Sequence, residues 1–513
     1  MPSWPQSWTG LRVVERPRWS PGTLVVLFAT AQVVVWTLAP ALTHSAPPID
    51  VVEGYMWGRE WVIATFKHPA LPSWFLEASR LLTGAIGLPA YLLSQLFVAA
   101  TFALVFLLGR DMMGAARAAA GTLLLAGVAY YSWPTLEFNH NVASLPFWAG
   151  LALALWRAVE RRSSSWWMLV GAIGAGALYA KLSAALLLVP AAAWVAFDQR
   201  ARLRLSSPGP WIGLAVFVIL STPLALWLIA HDFAPLQHAA LRLVAGPATR
   251  LHVFLLDTAA NLGGMLVMLL LAGLVKPRRW MTKRGPPEPN LSWPDRRRIV
   301  TFLLFLTLGP LVLAVAGAAL SHAGLKTAWG SSMFNLAGLL AIALTTGRFS
   351  HAALRRLAFV AAVIVLVVPI GYATAVKVDA HQPLRGGMRV NWPQRAIAER
   401  LGSVWATQTG QPLRIVAGEP WLAGLVGLTN PAVPSILTQG DVSLSPWITS
   451  ARIDREGMLI VWDAGAKQPP PKLASFLKTS RQGIEKFVFE RGKISNEFVI
   501  GYAIVPPWQP DAD

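Results

Sequence analysis

Long apolar segments separated by short polar ones dominate the chain from residue 21 to residue 376. An apolar run of about 20 residues is long enough to cross a hydrocarbon core of about 30 Å as a helix. Hydropathy identifies about eleven such segments. They lie near residues 21–40, 88–109, 115–133, 141–158, 165–180, 182–198, 211–230, 251–275, 299–320, 333–347 and 357–376. The pattern predicts a polytopic α-helical membrane protein with about eleven transmembrane helices.

The pattern changes over residues 377–513, which carry 15 Lys and Arg and 12 Asp and Glu. Here "WPQRAIAERLGSVWATQTG" predicts a helix closed by glycine, and "LRIVAG" and "GMLIVWD" predict short buried strands. "EKFVFE" and "EFVIGYAIVPP" predict a final hairpin. We expect a small soluble α/β domain with an accessory or lid role, following a membrane domain over residues 1–376.

Basic residues are unevenly distributed between alternate connecting segments, with 22 Lys and Arg in one set and 7 in the other. The positive-inside rule then places the N-terminus in the cytoplasm. An odd number of spans puts the C-terminal domain outside the cytoplasmic membrane, in the periplasm. Because this distribution accounts for most of the net charge of +19, it gives no reason to predict nucleic-acid binding.

Two further features limit the possible chemistry. The chain has no cysteine, which excludes disulfides, thiolate metal sites and cysteine nucleophiles. The first apolar segment could be a cleaved signal peptide, but it exceeds a typical apolar signal core of about 7–15 residues. We therefore interpret it as a retained span.

Ionisable residues concentrate in the first outer segment, residues 41–87, whose aromatic content suggests helices lying in the membrane interface. Asp50 and Glu53 would share one face of a helix, and Lys67 and His68 precede a Pro-x-x-Pro sequence. Asp50 and Glu53 could instead be a helix cap and a surface charge. Lys67 could extend its ammonium group to the lipid headgroups. Tyr55 lies between them and is a candidate substrate contact.

Polar residues also occur at later outer segments. Asn139, His140 and Asn141 follow Glu137, although the asparagines could simply cap the next span. A carboxylate such as Asp257 within a span usually faces a cavity. Arg242 and Lys326 could be ordinary interface anchors, and Trp329 follows Lys326 in the last outer segment. His231, His238, His252 and His322 would form a metal set only if the fold brought them together, so we predict no metal ligands.

These groups all fall on the predicted outer side. Cations can hold a phosphate, aromatic rings can stack on a sugar, and a carboxylate can take a proton from an attacking hydroxyl. This combination suits a lipid-phosphate substrate with a sugar headgroup.

Several motifs resemble those of the C-type membrane glycosyltransferases, in the bacterial family 39-like branch related to protein O-mannosyltransferases and aminoarabinose–lipid A transferases. "IDVVEGYMWGREW" resembles the acidic motif of the first outer loop, and "KHPALP" the Lys-Pro-Pro-like element. "FNHNVASLPFW" and "LKTAWGSSMF" resemble an Asn-x-Asn element and the last outer loop. The resemblance covers nearly the whole membrane region.

The resemblance implies an inverting glycosyltransferase with Asp50, or alternatively Glu53, as the base. Lys67, His68, Arg242 and Lys326 would then stabilise the phosphate of a polyprenyl-phosphate sugar donor. Two departures stand out: Val51 and Val52 separate acids that are adjacent in the aminoarabinose transferases, and an acid that can bind metal there is absent before Lys67. The missing acid argues against a bound metal, although a divalent cation stays open as a cofactor.

The expected location is the bacterial inner membrane. The acceptor could be lipid A or lipopolysaccharide, another lipid or a protein. Alternative functions are a lipid or polysaccharide transporter or flippase, and an O-antigen ligase-like enzyme. The clean spans argue against a transporter, since transporters usually place ionisable groups near the midplane.

Overall fold

The computed structural model describes residues 19–245, 251–275, 293–321, 324–345, 349–378, 388–465, 468–478, 480–491 and 494–508. Among these described residues, fifteen α-helices precede the C-terminal domain. In chain order they are α1 Pro21–Ala41, α2 Ile49–Gly58, α3 Leu71–Thr83, α4 Gly87–Met113, α5 Ala115–Leu123, α6 His140–Arg161, α7 Ser164–Ala180, α8 Ala185–Phe197, α9 Gln199–Arg202, α10 Pro208–Ala230, α11 Ala234–Ala245, α12 Leu251–Leu271, α13 Trp293–Ser321, α14 Ala337–Leu344 and α15 His351–Lys377.

The expected polytopic helical fold is confirmed, whereas the count of eleven spans stays a prediction. In the described part of the chain, seven helices are long and apolar enough to cross a membrane, or up to nine with two bent pairs. One pair joins Thr327–Phe334 to α14 at 57°. The predicted span near 115–133 is the short α5 followed by three 3₁₀ turns. The span predicted near 165–180 is α7, with 17 residues.

One end of the bundle is held together by ion pairs between helix ends. Arg298 on α13 donates to Glu160 at 2.6 Å and to Asp198 at 2.7 Å, with its guanidinium 4.6 Å from the ring centroid of Trp156. Arg157 on α6 donates to Asp111 at 2.6 Å. These residues come from segments whose basic loops predict a cytoplasmic location.

The C-terminal domain is a small sheet with helices on it, as expected. Its helices are α16 Gln394–Thr409, α17 Pro420–Leu428, α18 Ser450–Glu456 and α19 Ala474–Leu477, and its strands are β1 Ile415–Gly418, β2 Ser435–Thr438, β3 Met458–Asp463, β4 Arg481–Arg491 and β5 Ile494–Val505. The strand order is β2-β1-β3-β5-β4. β2, β1 and β3 are parallel, and β5 pairs antiparallel with both β3 and β4.

The helix α2 differs from its prediction as an interfacial element. Eight of its ten residues are buried, because α3 covers one face and α17 of the C-terminal domain covers another. It is therefore an internal helix that joins the membrane domain to the C-terminal domain.

Candidate active site

The first turn of α2 meets the segment that leads into α6. Helix starts leave backbone N–H groups without intrahelical acceptors, and Pro48 offers α2 no side-chain cap. A carboxyl oxygen of Glu137 takes this role by accepting from the Asp50 backbone N–H. Asn139 Nδ2 donates to Asp50 Oδ2 at 2.9 Å. Two predicted candidates, Asp50 and Asn139, are thus in direct contact.

Asn139 combines the two roles considered from the sequence. Its Oδ1 accepts from the backbone N–H groups of Asn141 at 2.9 Å and Val142 at 3.2 Å, which caps α6. Its amide nitrogen remains free to bind Asp50. The start of α6 therefore fixes the orientation of the Asp50 carboxylate.

Glu53 and Lys67 form an ion pair next to Asp50. Lys67 Nζ donates to Glu53 Oε2 at 2.5 Å, and Nζ also lies 5.8 Å from the centre of the Trp57 ring. Burial raises the pKa of Glu53, and the Lys67 charge works against that rise. Glu53 is only 7% exposed, whereas Asp50 is half-buried. Asp50 is thus the more accessible carboxyl.

Glu137 is the third carboxyl of the group, and the set of predicted site residues omitted it. Burial, followed by the nearby Asp50 charge, raises the pKa of Glu137 to about 8. Two carboxylates this close do not both ionise readily. At neutral pH Glu137 therefore holds its proton.

Two histidines lie close to Lys67 and to a further lysine, Lys181. The rings of His68 and His140 have centroids 3.9 Å apart and are tilted by 31°, and His140 Nε2 donates to the Pro69 carbonyl at 3.0 Å. Burial, then the proximity of His140, lowers the pKa of His68 well below its usual value. Because His68 is neutral, it would offer a phosphate a hydrogen bond instead of a full charge.

Lys181, between α7 and the following 3₁₀ turn, is the cation that the sequence prediction missed. Its Nζ donates to Asn141 Oδ1 at 2.6 Å, and its charge acts on both Asp50 and His68. Its hydrogen-bond partner is a neutral amide, so its charge can still serve an anion. The available signal was a single lysine within the apolar stretch 165–198.

Three predicted residues form a second group around the 3₁₀ segment Thr327–Phe334. Asp257 on α12 accepts from the Thr327 hydroxyl at 2.9 Å. Lys326 is exposed, and Trp329 packs half-buried against the core. The Ser332 hydroxyl lies 2.5 Å from that of Ser144 on α6, which places this group beside the first turns of α6.

Tyr55, a predicted substrate contact, belongs to neither group. Its side chain is fully buried, and its hydroxyl donates to the Ile86 carbonyl at 2.9 Å. Its contact with substrate stays a prediction. The side chain of Arg242 lies outside the described residues.

The described residues also show where three of the four candidate metal histidines lie. His231 stacks on Trp227 of its own chain segment, His238 packs against Phe66, and His252 is exposed on α12. His322 lies outside the described residues. Within the described part of the chain, no three His, Asp or Glu side chains are arranged to hold a metal ion.

The assembled group combines a half-buried carboxylate with two lysines, two imidazoles and two amides. A carboxylate held by an amide can accept a proton from a hydroxyl, and fixed cations can stabilise a departing anion. This combination suits the transfer of a group from a phosphate to a hydroxyl.

Comparisons with known proteins give one matching family model and solved structures that share this fold. A family model described as dolichyl-phosphate-mannose-protein mannosyltransferase matches residues 67–227. No curated protein sequence matches the chain. The crystal structure of ArnT from Cupriavidus metallidurans bound to undecaprenyl phosphate superposes with a TM-score of 0.59, at 14% identity, over 93% of this chain and 97% of that one. The chain has the fold of the C-type membrane glycosyltransferases.

The apo structure of the same ArnT gives a similar result, with a TM-score of 0.56 and 13% identity over 93% of this chain and 97% of that one. The likeness extends through the C-terminal domain, because both chains are covered almost completely. The resemblance found in the sequence motifs is thus confirmed for the C-type fold.

Proposed function

We propose that this protein is an inverting glycosyltransferase that moves a sugar from a polyprenyl-phosphate donor to a hydroxyl of an envelope acceptor at the periplasmic face of the inner membrane. The Asp50 carboxylate, held by Asn139 at 2.9 Å beside two lysines, is the observation that carries this proposal. The structure of ArnT with bound undecaprenyl phosphate supports the donor class, since that protein shares the fold.

Asp50 is the better candidate for the base because Glu53 is buried and paired with Lys67. Asp50 would take the proton of the acceptor hydroxyl while the hydroxyl oxygen attacks the anomeric carbon. The bond from that carbon to the phosphate oxygen breaks, and its electron pair leaves with the phosphate. One direct displacement inverts the anomeric configuration.

Lys67 and Lys181 would bind the phosphate, whose negative charge grows as the sugar leaves. Charged groups that are already in place stabilise such a transition state without reorganisation. Lys326 and Trp329, at the second group, would contact the donor or the acceptor further from the reacting carbon. Asp257 would hold this segment through Thr327.

The test is mass spectrometry of envelope lipids, lipid A and glycoproteins from a deletion strain complemented with wild type, Asp50→Asn or Asp454→Asn. We expect one species to lose a fixed sugar mass in the deletion and with Asp50→Asn, because general-base catalysis contributes about 10²–10⁴-fold. Asp454 is exposed in the C-terminal domain, so its variant should restore the species. Full activity of Asp50→Asn would indicate that Glu53 is the base. Identical profiles in all strains would contradict the proposal of a transferase.

A further inference from the structure

The helix that carries Asp50 and Glu53 is wedged between two others. Gly54 and Gly58 face α3, where a Cβ on Gly58 would lie 2.3 Å from the Ser73 carbonyl oxygen. Val52 and Met56, on another face, contact Gly424 of α17. A Cβ on Gly424 would lie 2.3 Å from Val52 Cγ1 and 2.9 Å from Met56 Sδ. The C-terminal domain therefore packs against the catalytic helix without intervening space.

Arg59, immediately after α2, anchors the end of this helix in the C-terminal domain. Its Nη1 donates to the Gly427 carbonyl at 3.1 Å, and its Nη2 donates to the Leu428 carbonyl at 3.0 Å. These are the last carbonyls of α17, which lack intrahelical partners and carry partial negative charge. A third bond, 3.4 Å long, goes to the Pro434 carbonyl.

The other end of α2 is held in the same way. Trp421 Nε1 of α17 donates to the Pro47 carbonyl at 3.4 Å, and the backbone N–H groups of Ser45 and Ala46 both donate to the Val390 carbonyl. The Glu419 carboxylate caps α17 by accepting from the Leu422 N–H at 3.1 Å. Its charge acts on Glu53, so α17 also lies within electrostatic range of the site.

We infer that α17 is a fixed wall of the active site, which positions α2 throughout the reaction, and that Arg59 is the positioning residue of this contact. This inference rests on the proposed function for its activity readout. It differs from the lid role expected from the sequence, since a lid must separate from the site to admit substrate. The contacts at the start, middle and end of α2 would all have to break for such a movement.

A disulfide between α2 and α17 distinguishes a fixed wall from a lid. The chain has no cysteine of its own, so Val52→Cys with Gly424→Cys introduces the only thiol pair. Their neighbouring positions suit the Cβ separation of about 3.5–4.5 Å in disulfides. We expect the bond to form in membranes and the oxidised protein to transfer sugar at least half as fast as the reduced double variant.

An oxidised protein that is inactive and recovers with dithiothreitol would overturn the inference in favour of a lid. Failure of the bond to form would overturn the contact itself. Bond formation can be scored by gel mobility even if the wild type transfers no sugar, so failure of the proposed function is recognised separately.

Substitutions at Arg59 test the positioning role directly. They become the deciding experiment in the case where the reduced double variant has no activity. Because a misplacement of about 1 Å can cost about 10²-fold in rate, we expect Arg59→Met to lower kcat at least tenfold per folded molecule with little change in KM. Arg59→Lys should recover part of kcat, since an ammonium can still donate to the α17 carbonyls. The control is Arg395→Met, at an exposed position of α16. An unchanged kcat in Arg59→Met would reduce Arg59 to a stability role and overturn the inference.

Discussion

Asp50 owes its position to two groups from a distant part of the chain, the Glu137 carboxyl and the Asn139 amide. Both belong to the segment leading into α6, 89 residues away from Asp50 in the case of Asn139. One of them accepts from the backbone of Asp50 and the other donates to its side chain. The orientation of Asp50, the proposed base, therefore depends on the start of α6 as much as on α2.

The raised pKa of Glu137 makes stability depend on pH. Between the ordinary value of 4.5 and about 8, Glu137 is protonated in the folded state and ionised in the unfolded state, so stability decreases as pH rises through this window. Glutamine cannot ionise. We expect the difference in unfolding temperature, Glu137→Gln minus wild type, to become more positive from pH 5 to pH 8.

Thermal unfolding of the purified protein in detergent at several pH values measures this difference. Glu490→Gln is the matched control, because Glu490 is exposed on β4. A difference between Glu137→Gln and wild type that stayed constant with pH would contradict the raised pKa.

The ion pair of Lys67 and Glu53 allows stability and activity to be separated. Lys67→Met leaves a buried carboxyl without its partner, which should cost about 2 kcal/mol in the free energy of unfolding. The double variant Lys67→Met with Glu53→Gln should recover most of that stability. It should not recover sugar transfer, because the donor phosphate still lacks its lysine. A double variant as active as wild type would show that Lys67 is dispensable for binding the donor.

At this scale the sequence identified residues whose chemistry is unusual for an outer loop of a membrane protein. Asp50, Glu53, Lys67, His68, Asn139, His140 and Asn141 all come together. Lys181 was missed because one lysine between two apolar segments is also typical of a simple connection. The burial of Tyr55 was not predictable, because the sequence of a helix of unknown environment does not reveal where its aromatic ring points.

At the scale of elements, α2 is built around close contacts through Gly54 and Gly58. A Cβ at Gly54 would meet the movable Leu76 Cδ1 at 2.4 Å, whereas at Gly58 it would meet the backbone oxygen of Ser73 at 2.3 Å. Small residues four positions apart allow two helices to approach closely. The spacing serves here to pack a short internal helix.

Replacement of Gly58 by alanine tests this packing. Alanine favours a helix over glycine by about 1 kcal/mol, but overpacking against a backbone typically costs about 1–3 kcal/mol. We expect Gly58→Ala to lower both the unfolding temperature and the transfer rate, and Gly54→Ala to do so less. Gly87→Ala is the control, since a Cβ there meets nothing within 4 Å. Equal effects at positions 58 and 87 would contradict this account.

Helices with a strong periodicity or length signal were predictable, and α1, α4, α6 and α16 lie where the sequence placed them. The expected helical span near 333–347 is only the eight-residue α14 after a bent 3₁₀ segment, because hydropathy detects apolar length but not a break in hydrogen bonding. The helix α17 was missed since eight of its nine residues are buried, which leaves no polar face to mark a helical period.

At the scale of the whole molecule, the two ends of α6 belong to different chemical environments. Its first turn contributes Asn141 to the site, and its last turns contribute Arg157 and Glu160 to the ion pairs near Arg298. A helix of 22 residues spans about 33 Å at 1.5 Å per residue. The site and the basic end therefore lie a membrane thickness apart.

Cysteine labelling of the cysteine-free chain tests the predicted orientation. Val442→Cys lies at an exposed position of the C-terminal domain, and Ser206→Cys at an exposed position next to the basic end. In intact spheroplasts, a membrane-impermeant maleimide should label position 442 but not position 206, and both after permeabilisation. Labelling of position 206 alone would reverse the topology inferred from the basic loops.

The anchoring of Arg59 also has a consequence for biosynthesis. Its acceptor Gly427 is 368 residues further along the chain, so at about 5–20 residues per second the ribosome needs roughly 20–70 s to deliver it. During that interval Val52, Met56 and Arg59 have left the ribosome while α17, their partner, has not yet been made. The helix that carries Asp50 can reach its final place only once translation is nearly complete. A chain cut short before α17 would thus insert into the membrane as an inactive protein.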